Sequence, residues 1–327
     1  MDKVRIGVLG CARITQQALI DAARQVAEVE IVAVASRDRA RGEAFAQAHA
    51  IPQAFAGYEA LLASIDVDVV YNPLPNSLHA PWSIRALEAG KAVLCEKPLA
   101  SNAEEAMLML EASRRAGRPL IEAFHYRHHP VAQFIAAKVA SGELGRLRRI
   151  AAVLDIPGRL LSADDIRFQN DLAGGATMDL GAYCLNILRL VTDAEPSVTR
   201  ASASITSPGI DGAMQGELLF PGGVEGSFEC SLIHDHLVAR LSIEGERGSL
   251  TAENPFLPQM GNSVSVTVDG VEQTNRFDRT ATYVFQLRSL VEVIRNGAVS
   301  PTTAADGVAN MAVIDEVYRK AGLSPRG

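Results

Sequence analysis

Two patterns of apolar and polar residues divide the 327-residue chain. Up to about residue 124, short solid apolar runs alternate with amphipathic stretches. Val4–Leu9, residues 30–35, 67–71, Ala92–Cys95 and 119–124 read as strands. Solid runs of this length belong to strands buried on both faces. Helical patterns lie between them over 16–27, around 58–63 and over 81–89, the last closed by Gly90. Ser101-Asn102-Ala103-Glu104 reads as a capping box opening a further helix that stops at Gly117, and 131–141 is helical as well.

The texture changes near Leu147. Strand-like runs now follow one another over 148–156, 197–205, 215–220, 224–233, 237–244, 248–252 and Ser263–Val268. Turn signals such as Pro221-Gly222-Gly223 and Asp269-Gly270 separate them. Strands in series predict a large, mainly antiparallel open sheet. One helix interrupts it over 176–191, after Gly174-Gly175, and helices over 282–296 and 304–321 close the chain. The predicted fold is α/β plus α+β, with domains over 1–124 and 125–327 and a C-terminal helix packing back on the first.

The first strand runs into Gly10-Cys11-Ala12-Arg13-Ile14-Thr15 and then a helix. Strand, tight turn and helix are the context of a dinucleotide fingerprint. Ala12 stands where the second close-approach glycine is usual and Thr15 where the third would be, so an ordinary βα turn is the competing reading. Ala12 still leaves room for a pyrophosphate near the helix N-terminus. The second strand is followed by Ser36-Arg37, then Arg39 and Arg41, with Asp38 later than the usual ribose-binding acid. A hydroxyl and guanidinium groups hold a 2′-phosphate that a carboxylate would repel. NADP(H) is therefore expected, with NAD(H) as the alternative; an exposed basic helix start reads the same residues without a ligand.

The loop after the third strand contains Leu74, Pro75, Asn76 and His79, polar groups and stiffening prolines set to meet ribose or nicotinamide. Asn76 or Ser77 as a helix cap, with a satisfied histidine, is the other reading. Ala92–Cys95 ends in Glu96-Lys97-Pro98 at the carboxyl edge of the sheet, where open α/β folds bind ligands. Alternatively, Glu96-Lys97 is a surface pair before a turn. His125, His128 and His129 do not share a face and no matching carboxylates follow, so no metal is expected. Arg127 and Tyr126 are placed at the border of the cofactor.

A net charge of −7 offers no basic excess to neutralise phosphates, which argues against nucleic acid. No apolar run approaches the roughly 20 residues of a membrane span. Cys11, Cys95, Cys184 and Cys230 form no Cys-x-x-Cys and read as buried residues of a reducing cytosol. Met1-Asp2-Lys3-Val4 has no signal-peptide layout, and a cytoplasmic protein is expected.

In the interrupting helix, Asp179, Tyr183 and Asn186 are spaced to share one face, opposite Met178, Leu185 and Leu188. The face either meets water or forms a site. Asp155 and Arg167-Phe168 are placed over the same site, whereas His234-Asp235-His236 reads as a polar hairpin or as a substrate contact.

These motifs together resemble the glucose–fructose oxidoreductase/inositol dehydrogenase (Gfo/Idh/MocA) family. The likeness rests on Gly7-Val-Leu-Gly-Cys-Ala-Arg-Ile, Ala33-Val-Ala-Ser-Arg-Asp, Glu96-Lys97-Pro98 and Gly174-Gly-Ala-Thr-Met-Asp-Leu-Gly-Ala-Tyr. It implies an N-terminal Rossmann domain and a C-terminal domain whose open sheet makes a homodimer or homotetramer. It also implies Lys97 as catalytic lysine and Asp179 as substrate-binding acid. Many members carry histidine where this chain has Tyr183, and an acid where it has Asn186. The tyrosine resembles the branch of dihydrodiol dehydrogenase, 1,5-anhydrofructose reductase and sugar 3-ketoreductases.

Hydride transfer between nicotinamide C4 and a carbonyl carbon needs a proton donor at the oxygen. Tyr183 is the natural donor, with Lys97 alongside to stabilise phenolate and oxyanion character. Asp179, with Arg167 and Asn186, orients neighbouring hydroxyls of a small sugar-like substrate. The alternatives are a non-sugar alcohol or dihydrodiol dehydrogenase and, in a different class, a non-catalytic NADP(H) sensor.

Overall fold

The computed structural model of the chain describes residues 3–162 and 164–327. Met1 and Asp2, read with the first strand, lie outside the described residues. The chain forms two compact units, Met1–His125 with Tyr283–Val308, and Tyr126–Thr282 with Ala309–Gly327.

The first unit is built on six strands: β1 (Val4–Leu9), β2 (Val29–Ser36), β3 (Gln53–Ala56), β4 (Val69–Asn72), β5 (Ala92–Cys95) and β6 (Leu120–Glu122). They pair in parallel in the order β3-β2-β1-β4-β5-β6. The apolar runs are buried as expected: Ile6, Val8 and Val34 are wholly inaccessible, as are all but Ala92 of β5. Strand order reverses between β1 and β4, which makes their carboxyl ends the ligand-binding edge of such a sheet. The segment 283–308 belongs to this unit. It touches the sheet edge through a bridge from Thr303 to Ile121 and a hydrogen bond from Glu122 N to Thr302 O of 3.1 Å.

Three local readings need correction. β3 lacked a visible signal because its residues are only half buried and include Gln53. The helix expected over 16–27 is a wide π-type turn, Gln16–Ile20, followed by one regular turn, Asp21–Ala23. The capping box sits one residue later: Asn102 caps the helix Ala103–Ala116 by accepting from Glu105 N at 2.9 Å, and Glu105 reaches back to Ser101 N at 3.0 Å.

The second unit carries β7 (Leu147–Pro157), β8 (Ser197–Ser207), β9 (Ile210–Phe220), β10 (Val224–His234), β11 (Val238–Gly245), β12 (Gly248–Glu253), β13 (Ser263–Val268) and β14 (Val271–Asn275). Their order is β14-β13-β12-β11-β7-β10-β9-β8. All neighbours are antiparallel except β7 and β10, which run parallel, a departure from the serial antiparallel reading. The long excursion between β7 and β8 permits it, since β7 is inserted between strands that follow later in sequence. The exposed, polar edge strand β14 gave no apolar signal.

One sheet face is apolar. Ile150, Ala152 and Leu154 of β7, Phe228 and Cys230 of β10 and Leu241 and Ile243 of β11 are buried on it. The helix Ala182–Thr192 packs against β7 and β10 on this side. Gly181 allows the close approach: a Cβ there would stand 3.1 Å from Cys230 Sγ. Among the described residues no helix is long and apolar enough to cross a membrane.

Candidate functional site

In the first unit the predicted cofactor residues gather at the carboxyl ends of β1, β2, β4 and β5. Gly10 ends β1 with φ +77°, and its amide donates to Ala35 O at 2.7 Å. A Cβ there would approach Leu74 Cδ2 to 2.9 Å, so the bare glycine keeps this crossing open. Cys11, Ala12 and Ile14 are half-buried and Arg13 is exposed. Arg41 ties the turn to the second βα connection by donating from Nη2 to Cys11 O at 3.1 Å. Burial pushes the Cys11 thiol up, against the pull of Arg41.

The donor set fits a phosphorylated ribose. Ser36 is buried and Arg37 and Arg41 are exposed. The only nearby acid in this turn, Asp38, is committed to its own helix: it caps Arg39–His49 by accepting from Arg41 N at 3.1 Å. Tyr58 joins this group. Burial raises its phenol while the Arg37 charge opposes the shift.

Asn72, not singled out from sequence, organises the next loop. It is fully buried and bonds Leu74 N, His79 O and Ser83 Oγ at 3.3, 3.2 and 3.0 Å. Pro75 and Asn76 are half-buried, and Asn76 opens a short 3-10 turn instead of capping the helix His79–Glu88. His79 is buried, with Nδ1 2.8 Å from Pro98 O and Nε2 2.7 Å from Leu74 O. Both nitrogens face loop carbonyls, so His79 joins the two loops and is not available to a ribose. Burial, aided by the Lys97 charge, lowers it to about 4 against the two carbonyls. A neutral ring donates to only one of them.

Glu96 accepts from Tyr71 OH at 2.7 Å and from Lys97 N at 3.4 Å. Buried beside this carboxylate, the Tyr71 phenol is held well above its usual range. Glu96 thus braces the strand end, and Lys97 is half-buried at the edge itself. His125 stacks on Tyr283 with ring centroids 4.3 Å apart.

In the second unit the predicted polar helix begins with a π-type turn, Thr177–Gly181, ahead of Ala182–Thr192. The wider turn changes the angular step, so the expected common face does not hold throughout. Asp179 remains partly accessible and Tyr183 is 8% exposed. Asn186 is fully buried and accepts from Tyr126 OH at 2.6 Å and Arg127 Nη1 at 3.3 Å. Asn186 and Arg127 therefore hold each other, and Asn186 is a support behind Tyr183 and not part of an open face. Tyr183 packs at 5.9 Å from Tyr126 and 5.6 Å from Phe256, an aromatic neighbour the sequence did not reveal.

Arg167 donates from Nε to Asp179 Oδ2 at 2.6 Å and from Nη1 to Asp165 Oδ1 at 3.1 Å. The Asp179 charge raises the guanidinium above its ordinary range. Asp165 also accepts from Arg167 N at 3.1 Å, an Asx turn that fixes the arginine's backbone. That signal was legible in Asp165-Ile166-Arg167.

The remaining candidates have other neighbours. Asp155 sits on β7 opposite Ser231. Burial pushes its carboxyl up to about 6, with Glu229 adding and His234 opposing. His234-Asp235-His236 closes on itself, His236 N donating to His234 Nδ1 at 3.1 Å. His129 accepts from Val131 N as a helix cap and bonds Asp278 O through its other nitrogen. Among the described residues no group of His, Cys, Asp and Glu is arranged to hold a metal ion.

Known proteins share both halves. Residues 4–124 match the model of an oxidoreductase family with an NAD-binding Rossmann fold, and residues 132–251 match the GFO/IDH/MocA C-terminal domain. The chain is 36% identical to D-xylose 1-dehydrogenase (NADP(+)) 2 of Haloferax volcanii over 96% of each chain. It is 32% identical to trans-1,2-dihydrobenzene-1,2-diol dehydrogenase of Macaca fascicularis, covering 91% of this chain and 90% of that one. A 3-ketoreductase from Actinomadura kijaniata, solved with NADP and TDP-benzene, superposes with a TM-score of 0.89 at 28% identity over 97% of both chains. The chain belongs to the GFO/IDH/MocA oxidoreductase family, and its first unit is the NAD-binding Rossmann domain of that family.

Proposed function

We propose that the chain is an NADP(H)-dependent oxidoreductase acting on the carbonyl/alcohol carbon of a sugar or sugar-like substrate. The observation that carries this reading is Asp179, ion-paired to Arg167 at 2.6 Å and followed one turn later by Tyr183. An ionised carboxylate accepts hydrogen bonds from hydroxyls, which a polyol supplies next to its carbonyl.

NADP(H), which the Gly10–Arg13 turn with Ser36, Arg37 and Arg41 would hold, would supply or receive a hydride. Tyr183 gives its phenolic proton to the carbonyl oxygen during reduction, or takes the proton of the alcohol during oxidation. Lys97, carried at the end of β5, stabilises the developing negative charge. Asp179 orients the substrate through a neighbouring hydroxyl, and Arg167 holds its carboxyl in place by the 2.6 Å ion pair. Ser36, Arg37 and Arg41 select the 2′-phosphate of NADP(H) over the free hydroxyl of NAD(H). The exposed sheet face, which carries Leu219 and Ile233, is the surface through which we propose a homodimer or homotetramer forms.

The test is a panel of ketoses, 3-keto sugars and diketones followed by nicotinamide absorbance, with D-xylose and a trans-dihydrodiol in the oxidative direction. NADPH is expected to be consumed with at least one carbonyl. It should be preferred to NADH by about tenfold or more, the worth of one charge-assisted contact. Binding without turnover across the panel would favour a sensor, and a preference for NADH would contradict the Ser36-Arg37 reading.

A further inference from the structure

The proposed chemistry does not use Asp211, Tyr318 or Arg326, yet they form a buried, densely bonded polar cluster beside the start of the Asp179 helix. Asp211, on β9, is inaccessible to solvent. Its Oδ2 accepts from Thr177 N at 2.7 Å and Thr177 Oγ1 at 2.6 Å. Its Oδ1 accepts from Tyr318 OH at 3.0 Å and Arg326 Nη2 at 2.5 Å. Arg326 is 5% exposed, lies over the Tyr318 ring at 4.3 Å, and donates from Nη1 to Gly209 O at 2.5 Å and Asn170 Oδ1 at 3.3 Å.

The partners have a common destination. Thr177 precedes Asp179 by two residues, and Asn170 follows Arg167 by three. Gly175 links the two: its amide donates to Arg167 O at 2.8 Å and its carbonyl accepts from Asp179 N at 3.0 Å. It has φ +126°, and a Cβ there would fall 2.2 Å from Asp211 Oδ1 and 2.9 Å from Arg326 Nη2. A buried ion pair gives little net stability compared with apolar packing, so its retention here is better explained by the geometry it fixes. The planar fork of arginine holds Asp211 on one nitrogen and Asn170 on the other in a fixed geometry, which the single nitrogen of a lysine does not reproduce.

We propose that Arg326 is a positioning residue that, through Asp211 and Asn170, holds the start of the Asp179 helix and the Arg167 loop at the spacing of their ion pair, and thereby sets substrate affinity. The inference rests on the reading of Asp179 as the substrate-binding acid. It assigns Arg326 no contact with substrate or cofactor.

The test compares Arg326→Gln, Arg326→Lys, Asp179→Asn and the double variant Arg326→Gln/Asp179→Asn, with D-xylose and NADP+ as the probe pair. Arg326→Gln is expected to raise the KM for D-xylose about tenfold while leaving the Kd of NADPH within about twofold, and Arg326→Lys to raise KM about threefold. In the Asp179→Asn background the Gln substitution should change KM by less than about twofold, because its effect passes through Asp179. A merely structural role would add its full effect there, and that result overturns the proposal, as does a wild-type KM in either Arg326 variant. An unchanged KM in Asp179→Asn would instead remove the Asp179 reading. Crystal structures decide the matter without turnover. The Arg167 Nε–Asp179 Oδ2 separation should lengthen beyond about 3.5 Å in Arg326→Gln, or in Arg326→Lys should the first not fold. A pair retained at 2.6 Å overturns the proposal.

Discussion

The two units hold their candidate site residues in different ways. In the first, the ties are between loops that lie near one another in sequence. His79 reaches Leu74 and Pro98 across 5 and 19 positions, and Arg41 reaches Cys11 across 30. In the second, Tyr318 and Arg326 reach Asp211 across 107 and 115 positions, and Arg326 reaches Asn170 across 156. A parallel βα sheet brings successive loops to one edge by its topology alone. A helix laid on an antiparallel sheet has no such guarantee, and here buried charge fixes its first turn.

The sharpest way to break this comparison is one substitution made twice. Gly175→Ala places a methyl against the buried Asp211 carboxylate and the Arg326 guanidinium, where φ is +126°. It should cost about 3–5 kcal/mol, or prevent folding, because the buried pair cannot move apart cheaply. Gly10→Ala meets the flexible end of the Leu74 side chain at 2.9 Å and, in ordinary contact, the Tyr58 hydroxyl at 3.7 Å, at φ +77°. It should cost about 1–2 kcal/mol, mostly the left-handed backbone. Denaturant melts measure both, and equal losses would show that the two units are built alike.

The same contrast decides what the sequence could reveal. Val4–Leu9 and Ala92–Cys95 appear at their read boundaries because solid apolar runs leave one interpretation. The half-buried β3 and the exposed β14 were invisible for the opposite reason. Asp179 and Tyr183 were legible as types on one helix. That Asn186 is buried against Tyr126 was not, since its partner lies 60 positions away and nothing local in the sequence marks the contact. Asp211 and Arg326 were illegible because nothing local distinguishes them from surface charges; only their meeting in the fold does.

A smaller effect separates two buried acids of the second unit. Asp211 accepts four hydrogen bonds, whereas Asp155 Oδ1 has no partner among the described residues. Asp155 titrates near 6 in the fold against an ordinary 3.8. The folded state therefore binds its proton more tightly than the unfolded state does. Its contribution is fully favourable below the ordinary value and is lost as pH rises through the folded one. Glu229 sharpens this dependence and His234 blunts it. Asp155→Asn should stabilise the protein by about 1–2 kcal/mol at pH 7, discounted for partial solvation, and by nothing measurable near pH 3, below the ordinary value. Thermal melts across that range read the difference; a constant offset at all pH values would contradict it.

In the proposed reaction Tyr183 moves the proton that accompanies hydride transfer. The most direct test of this role is kcat for Tyr183→Phe beside the Kd of NADPH. A packing role against Tyr126 and Phe256 survives that substitution, because the ring is kept. The account predicts a fall in kcat of about 10²–10⁴-fold with NADPH affinity unchanged. Wild-type turnover in Tyr183→Phe would contradict it.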